Sequence, residues 1–273
     1  IVAGLDLAAG LDAEGRIVAP APVGEFNAGP IAIDRFSARG AATLHDAASG
    51  KTITLADLSM TGEVRSAVSA RGEGAFTLDG ARHSYRVTLA RPSEGGGTRT
   101  KLVVEPGDRS LAIEIDGLAS AAGGKPRFDG MLMLAHAGGP RPGGRDTGLF
   151  EAPWRISAKT IADPARLHFE KIDAVFGAEE SGMRLSGAGD LTLGAAPSFH
   201  AVVSARQLDI DRLLAANGAA DKSPGQLLAR LSGMLDAMAL PPLPVQLEFG
   251  VDIATLSGRP IQAAGLDLRG SGE

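Results

Sequence analysis

The chain has 273 residues, of which 44% are hydrophobic and 22% charged, and 27 basic against 32 acidic side chains leave a net charge of -5. That composition supports a folded core and offers no basic surplus for neutralising phosphates, so it argues against disorder and against nucleic acid as a partner. Cysteine is absent, which excludes disulfide scaffolds, thiolate metal sites, iron–sulfur clusters and cysteine nucleophiles.

The sequence opens on Ile1-Val2-Ala3-Gly4 rather than methionine and closes on Gly270-Ser271-Gly272-Glu273, and we expect it to be a piece of a longer chain. It holds no run of about 18 apolar residues and no signal peptide, so any anchor or export signal is expected outside it. Before Ile31 the pattern is generic strand. Beyond it, alternation of period two recurs, the signature of half-buried strands. Tyr85, Val87 and Leu89 oppose Arg86, Thr88 and Ala90, while Leu111, Ile113 and Ile115 oppose Ala112, Glu114 and Asp116. Val245, Leu247, Phe249, Val251 and Ile253 likewise oppose Gln246, Glu248, Gly250 and Asp252. One apolar and one wet face predict antiparallel sheet, since buried parallel strands read as continuous apolar runs. Turn signals such as Asp79-Gly80, Asp116-Gly117, Gly123-Gly124 and Gly194-Ala195-Ala196-Pro197 separate the runs and predict a meander of hairpins.

The loop from His136 to Gly148 divides the chain into a region 1–140 and a region 141–273. Two short helices are predicted in the second region. One spans about 209–217, capped by Asp209 and stopped at Asn217-Gly218. The other spans 224–240, with Ser223 as its cap, Pro224 at its first position and Pro241 beyond its end. Its stripe of Leu227, Leu228, Leu231, Met234, Leu235 and Met238 is amphipathic, and with Arg230 and Asp236 as its interior charges and no aromatic anchor it is expected to pack against the sheet rather than on a membrane.

An internal repeat is present. Gly74 to Gly80 followed by Tyr85 to Arg91 matches Gly189 to Gly194 followed by Phe199 to Arg206 at an offset of 115, and Ile53, Leu55 and Leu58 recur as Leu167, Phe169 and Ile172 at an offset of 114. About a dozen strands emerge, and at about 4.8 Å between neighbours they form a sheet roughly 55 Å across. Two helices cannot cover it, which leaves a closed barrel, a sandwich, or a curved open sheet whose apolar face is free for a ligand.

Reactive chemistry is sparse. His45, His83, His136, His168 and His200 stand singly without metal-ligand spacing and are expected to be exposed or in loops. No Gly-x-Ser-x-Gly elbow occurs. Gly95-Gly96-Gly97 leads into a strand, not a helix, and is expected to be a linker rather than a phosphate cradle. Glu179-Glu180 are expected in a turn, and Asp209 and Asp211 as helix caps. No catalytic residue, metal or cofactor is expected.

Several blocks carry a resemblance. Pro153-Trp154-Arg155-Ile156-Ser157, the run Leu167 to Gly177, Ser186 to Leu191, and above all Phe199 to Leu214 with its Arg206, Leu208, Asp209 and Asp211 corner resemble the AsmA family of bacterial envelope proteins. The likeness covers roughly residues 30–273 and is strongest over 150–215. It implies a long curved antiparallel meander sheet, a repeating β-groove whose apolar face carries phospholipid acyl chains across the periplasm in outer-membrane biogenesis. It also implies attachment to the periplasmic face of the inner membrane of a Gram-negative bacterium through an N-terminal helix, with outer-membrane or periplasmic partner proteins. The expected groove lining is Phe76, Leu78, Tyr85, Val87, Leu89, Leu111, Ile113, Ile115, Leu191, Leu193, Phe199, Val245, Leu247, Phe249, Val251 and Ile253. Acyl chains need only apolar contact, about 0.8 kcal/mol per buried methylene. The alternatives are a structural or adhesive β-repeat module whose apolar face is closed core, and a glycan-modifying enzyme, which requires carboxylates clustered across a cleft.

Overall fold

The computed structural model describes residues 2–18, 32–66, 69–90, 97–107, 111–138, 153–177, 182–211, 223, 225–226, 229, 233 and 243–270. These are almost entirely strand: β1 (Val2–Leu11), β2 (Ile17–Val18), β3 (Ile33–Asp46), β4 (Lys51–Ser66), β5 (Ser69–Leu78), β6 (Ala81–Ala90), β7 (Thr98–Pro106), β8 (Leu111–Ala122), β9 (Lys125–His136), β10 (Trp154–Ala162), β11 (Arg166–Phe176), β12 (Met183–Thr192), β13 (Ser198–Asp209), β14 (Val245–Leu256) and β15 (Arg259–Gly270). All fifteen join one sheet in the order β15-β14-β13-β12-β11-β10-β9-β8-β7-β6-β5-β4-β3-β1-β2. From β3 to β15 each strand lies beside the next in the chain, which is the predicted meander, and the sheet keeps two edges instead of closing into a barrel.

Two pairings depart from antiparallel order. β1 runs parallel to β3, with Leu7 beside Ala42, and β13 runs parallel to β14, with Ala205 beside Val251. A parallel neighbour requires the chain to travel back along the strand before re-entering the sheet, which takes a dozen residues or more. The predicted helices fall within the second of these crossovers. Asp209 ends β13 and only Ile210 and Asp211 of the first helix are described, both helical. Of the second, Gly225, Gln226, Ala229 and Gly233 are helical, and the remainder lies outside the described residues.

The repeat has a structural counterpart. Asp57 in β4 and Lys171 in β11 both take the left-handed conformation, with φ of 47° and 48°. In β4 this marks a bulge, because Gly40 faces Leu58 whereas Ala42 faces Leu55. One extra residue restores the apolar side chains to the same face, so Leu55 and Leu58 are three apart, as are Phe169 and Ile172.

The chain forms two compact units that are not divided at a single point. The first comprises Ile1–Leu134, Lys159–Leu167 and Thr192–Ala196; the second comprises Ala135–Ala158, His168–Leu191 and Pro197–Glu273. The expected boundary near 140 lies close to the first change of unit, but two later segments return to the first. The second unit has a core of Ala205, Ile210, Val251, Ala254 and Leu256, with Leu185, Leu208, Phe249 and Ala264 packed on it. In the first unit, among the described residues, only Gly72, Pro106 and Thr160 are buried.

Candidate functional site

Register converts the apolar stripes of the first unit into rows. Ala38 faces Met60, Met60 faces Gly74, Gly74 faces Tyr85, Tyr85 faces Val104 and Val104 faces Ile113. One step along, Phe36, Gly62, Gly72, Val87, Leu102 and Ile115 form a second row. Directly opposed residues share a face and touch, so six strands from β3 to β8 present one continuous apolar surface. Phe76 stacks on His83, with ring centroids 5.1 Å apart, and lies 5.9 Å from the Tyr85 ring.

Where the rows cross β4 and β5 they are floored by glycine. A Cβ on Gly74 would run into the Ser59 carbonyl, one on Gly72 would come within 2.6 Å of Met60 Cε, and one on Gly62 within 2.9 Å of the Phe36 ring. Adjacent side chains and backbone occupy the space a Cβ would need, which brings Phe36 and Met60 over bare backbone. Tyr85 completes the floor, its hydroxyl donating to the Ser59 carbonyl at 3.2 Å. Burial pushes the Tyr85 phenol above its ordinary value near 10.

The opposite face is ionic. Arg86 pairs with Glu105 at 3.0 Å, Lys101 with Glu114 at 2.7 Å and Arg99 with Asp116 at 2.9 Å, while Glu63 receives Arg65 and Arg71 at 2.6 and 2.7 Å. The Arg65 hydrogen bond, with the charges of Arg65 and Arg71, holds the Glu63 carboxyl below its ordinary value, and the Glu114 carboxylate raises Lys101. A cavity of about 740 Å³ lies on this polar side, among Ser37, Arg39, Ser59, Thr61, Glu73 and Arg86. A twisted sheet is saddle-shaped and is concave on both faces in different directions. On β6 the apolar side is the better shielded: Ala81, His83, Tyr85 and Val87 are half-buried, whereas Arg82, Ser84, Arg86 and Thr88 are exposed.

Of the expected lining, Phe76, Leu78, Tyr85, Val87, Ile113 and Ile115 lie half-buried on this one face, and Leu111 precedes Ile113 on the same side of β8. Leu89 is 37% exposed at its margin, across from Ala70 and Thr100. Leu102 and Val104 belong to the same rows and were missed from sequence, because Leu102-Val103-Val104 reads as an unbroken apolar run that hides the alternation. Met60 and Leu58 were missed because the bulge at Asp57 shifts the period.

The second unit differs. Phe199 lies beside Val245, Ala201 beside Leu247 and Val203 beside Phe249, and the face continues onto Leu268 and Leu266 of β15. Leu191 follows Leu185 on the same side of β12. Two expected lining residues are placed otherwise. Val251 is 5% exposed and is part of the closed core. Ile253 is 40% exposed between Gln207 and Gln262, and Ala254 takes the buried position instead. Leu193 lies just past β12, in the first unit, where its amide donates to the Ala165 carbonyl at 2.8 Å.

The remaining candidates resolve into structural contacts. All five histidines sit on strands, with His45 and His200 exposed as expected and the other three half-buried: His168 bonds Asp190 at 3.0 Å, His200 approaches Glu248 at 3.5 Å, His45 bonds Thr52 at 3.0 Å and His136 lies against Trp154. Asp209 ends β13 directly before the helical Ile210 and Asp211, the position of the expected cap. Asp211 holds the β14–β15 turn, accepting from the amides of Ser257 at 2.7 Å and Gly258 at 2.6 Å. Both turn residues have positive φ, 53° and 69°, the two-residue hairpin geometry that leaves its amides pointing outward. Glu179 and Glu180 lie outside the described residues. Among the described residues, no group of acidic, histidine or cysteine side chains suits a metal ion, and no helix is long and apolar enough to cross a membrane. Comparison of the chain with protein-family models, with curated proteins and with solved structures finds no match.

Proposed function

We propose that the apolar face of the first unit is a trough for phospholipid acyl chains, and that the protein carries lipid passively, without catalysis, in the periplasm during outer-membrane biogenesis, as the AsmA resemblance implies. The observation that carries this reading is the contrast between the units. Among the described residues, the buried alanine, valine, isoleucine, leucine and phenylalanine side chains all belong to the second, while the first leaves two apolar rows across six strands in which no large side chain is buried. Seven strand spacings from β1 to β9 measure about 34 Å at ~4.8 Å each, longer than an acyl chain that fills half of a ~30 Å hydrocarbon layer. Nonspecific contact suffices for such a ligand, and each methylene removed from water contributes about 0.8 kcal/mol. Headgroups stay in water, and direction comes from partners or gradients.

The test is native mass spectrometry with lipid extraction on the parent and on Val87→Asp/Ile115→Asp. Phospholipid should accompany the parent and be lost from the variant while its circular dichroism stays that of a β-sheet. A folded parent that remains empty in excess lipid overturns the trough. A second reading, a structural module with a closed apolar face, is favoured within the second unit by its buried core of Ala205, Val251, Ala254 and Leu256, and an empty parent would extend it to the first.

A further inference from the structure

The edge of the first unit returns to strands far from it in the sheet. β2 is seven places from β8 in the hydrogen-bonded order, yet the Ile17 amide donates to the Gly124 carbonyl in the β8–β9 turn at 2.9 Å. Seven spacings of about 4.8 Å would hold the two strands roughly 34 Å apart in an uncurled sheet, so this hydrogen bond requires the first unit to curl on itself. Three rigid turns meet there. In the β1–β2 turn, Asp12 accepts from the amides of Glu14 and Arg16 at 3.0 and 2.7 Å, and Gly15 donates to the Asp12 carbonyl at 2.9 Å. The β10–β11 turn is tied by Asp163, which accepts from the amides of Ala165 and Arg166 at 2.8 and 3.0 Å. A Cβ on Gly15 would lie 3.1 Å from Pro164 Cβ, and one on Gly124 lies 3.8 Å from Arg16 Cβ.

We propose that the β1–β2 turn is a clasp that fastens the curled first unit at one point and opens while β3 to β8 stay paired, admitting acyl chains to the apolar face from the side. The junction is thin compared with what it joins. Among the described residues it consists of one backbone hydrogen bond and the packing of Gly15 and Arg16 on Pro164 and Gly124, whereas every strand pair from β3 to β8 is tied along most of its length. β2 itself pairs with β1 only at Gly10 and Leu11, and Ile17 and Val18 are 48% and 49% exposed. Segments with so few buried contacts open locally long before the sheet unfolds. The role in admitting ligand rests on the trough proposed above; the opening itself does not.

The absence of cysteine makes the test clean, because Arg16→Cys/Gly124→Cys can form only one disulfide and the 3.8 Å between the two Cβ positions is the separation that bond requires. Release of bound cis-parinaric acid is followed by stopped flow from the oxidised and the reduced forms of this variant, the reduced form serving as the folding control. The oxidised form should release the probe about tenfold more slowly, with binding at equilibrium little changed, because a gate acts on rates more than on affinity. Equal rates in the two forms overturn the clasp as a gate. Hydrogen exchange on the parent separates this from failure of the trough: the Ile17 amide should exchange far faster than the amides of Val87 and Leu102. Exchange at the same slow rate overturns the opening, whereas fast exchange with no probe bound by any form keeps the clasp and overturns the trough.

Discussion

Tyr85 is the only tyrosine in the chain, so its ionisation is read from the phenolate absorbance without ambiguity. Burial raises its folded value above the ordinary 10, and the sign of the consequence follows. Below about pH 10 both states hold a neutral phenol and its stabilising contribution is complete. As pH rises through the unfolded value and on to the folded one, the unfolded chain releases its proton first and that contribution is lost. Absorbance titration should give a midpoint above 10, and Tyr85→Phe should lose this part of the alkaline destabilisation. Glu63 acts in the other direction: its folded value is depressed, chiefly by the Arg65 hydrogen bond. Its contribution is therefore present above about pH 4.3 and is lost as pH falls through the folded value. Asp211→Asn should cost about 1–2 kcal/mol in urea unfolding, since an amide can offer only one acceptor oxygen to the two turn amides. Its place in the sequence, two residues after Asp209, suggests a helix cap; that it reaches a turn 46 residues later is decided only when β14 and β15 come back beside β13.

At the scale of the element, glycine and bulge positions govern whether strands can approach. Gly74→Ala places a methyl against the Ser59 carbonyl, and backbone cannot be pushed aside as a flexible side chain can. The substitution should destabilise by about 1–3 kcal/mol, whereas Gly250→Ala, which has no heavy atom within 4 Å of the added Cβ, should be nearly neutral; parallel denaturation curves check both. At the two left-handed positions, Asp57→Val and Lys171→Val should each cost about 1–2 kcal/mol relative to the glycine variants, because a β-branched residue is poorly accommodated at φ near 50°. These elements also mark what was legible. Alternation located the strands and the apolar faces of β6, β8 and β14, because period two follows directly from backbone geometry. It failed on β7, where Val103 on the ionic face is itself apolar, and on β4, where the bulge resets the phase. It failed again at Ile253, where the buried position passes from Val251 to Ala254 in three residues rather than two. The expected lining residues of β5, β6 and β8 share one face in the first unit, whereas Val251 in the second belongs to the buried core.

At the scale of the molecule the two units differ in what stabilises them. The second buries Ala201, Ala205, Val251 and Ala254 at 5% exposure or less; the first leaves its apolar rows half-buried. Hydrogen exchange without lipid should therefore find the slowest amides in β13 and β14. Addition of phospholipid should slow the amides of β5 to β8 preferentially, because a ligand that binds only the folded unit stabilises it by mass action. Equal protection of both units with and without lipid would favour the closed structural module.

The sequence by itself determined most of the strands and turns, the apolar and polar sides of β6 and β8, the repeat and the absence of thiol chemistry, because these follow from residue type and a period of two. Only the tertiary structure decided the parallel pairings at β1 and β14, the rows formed by register, the burial of Val251 against the exposure of Ile253, and the meeting of Ile17 with Gly124. These depend on strand neighbours and accumulated twist, which join residues a hundred positions apart and leave no local mark on the chain.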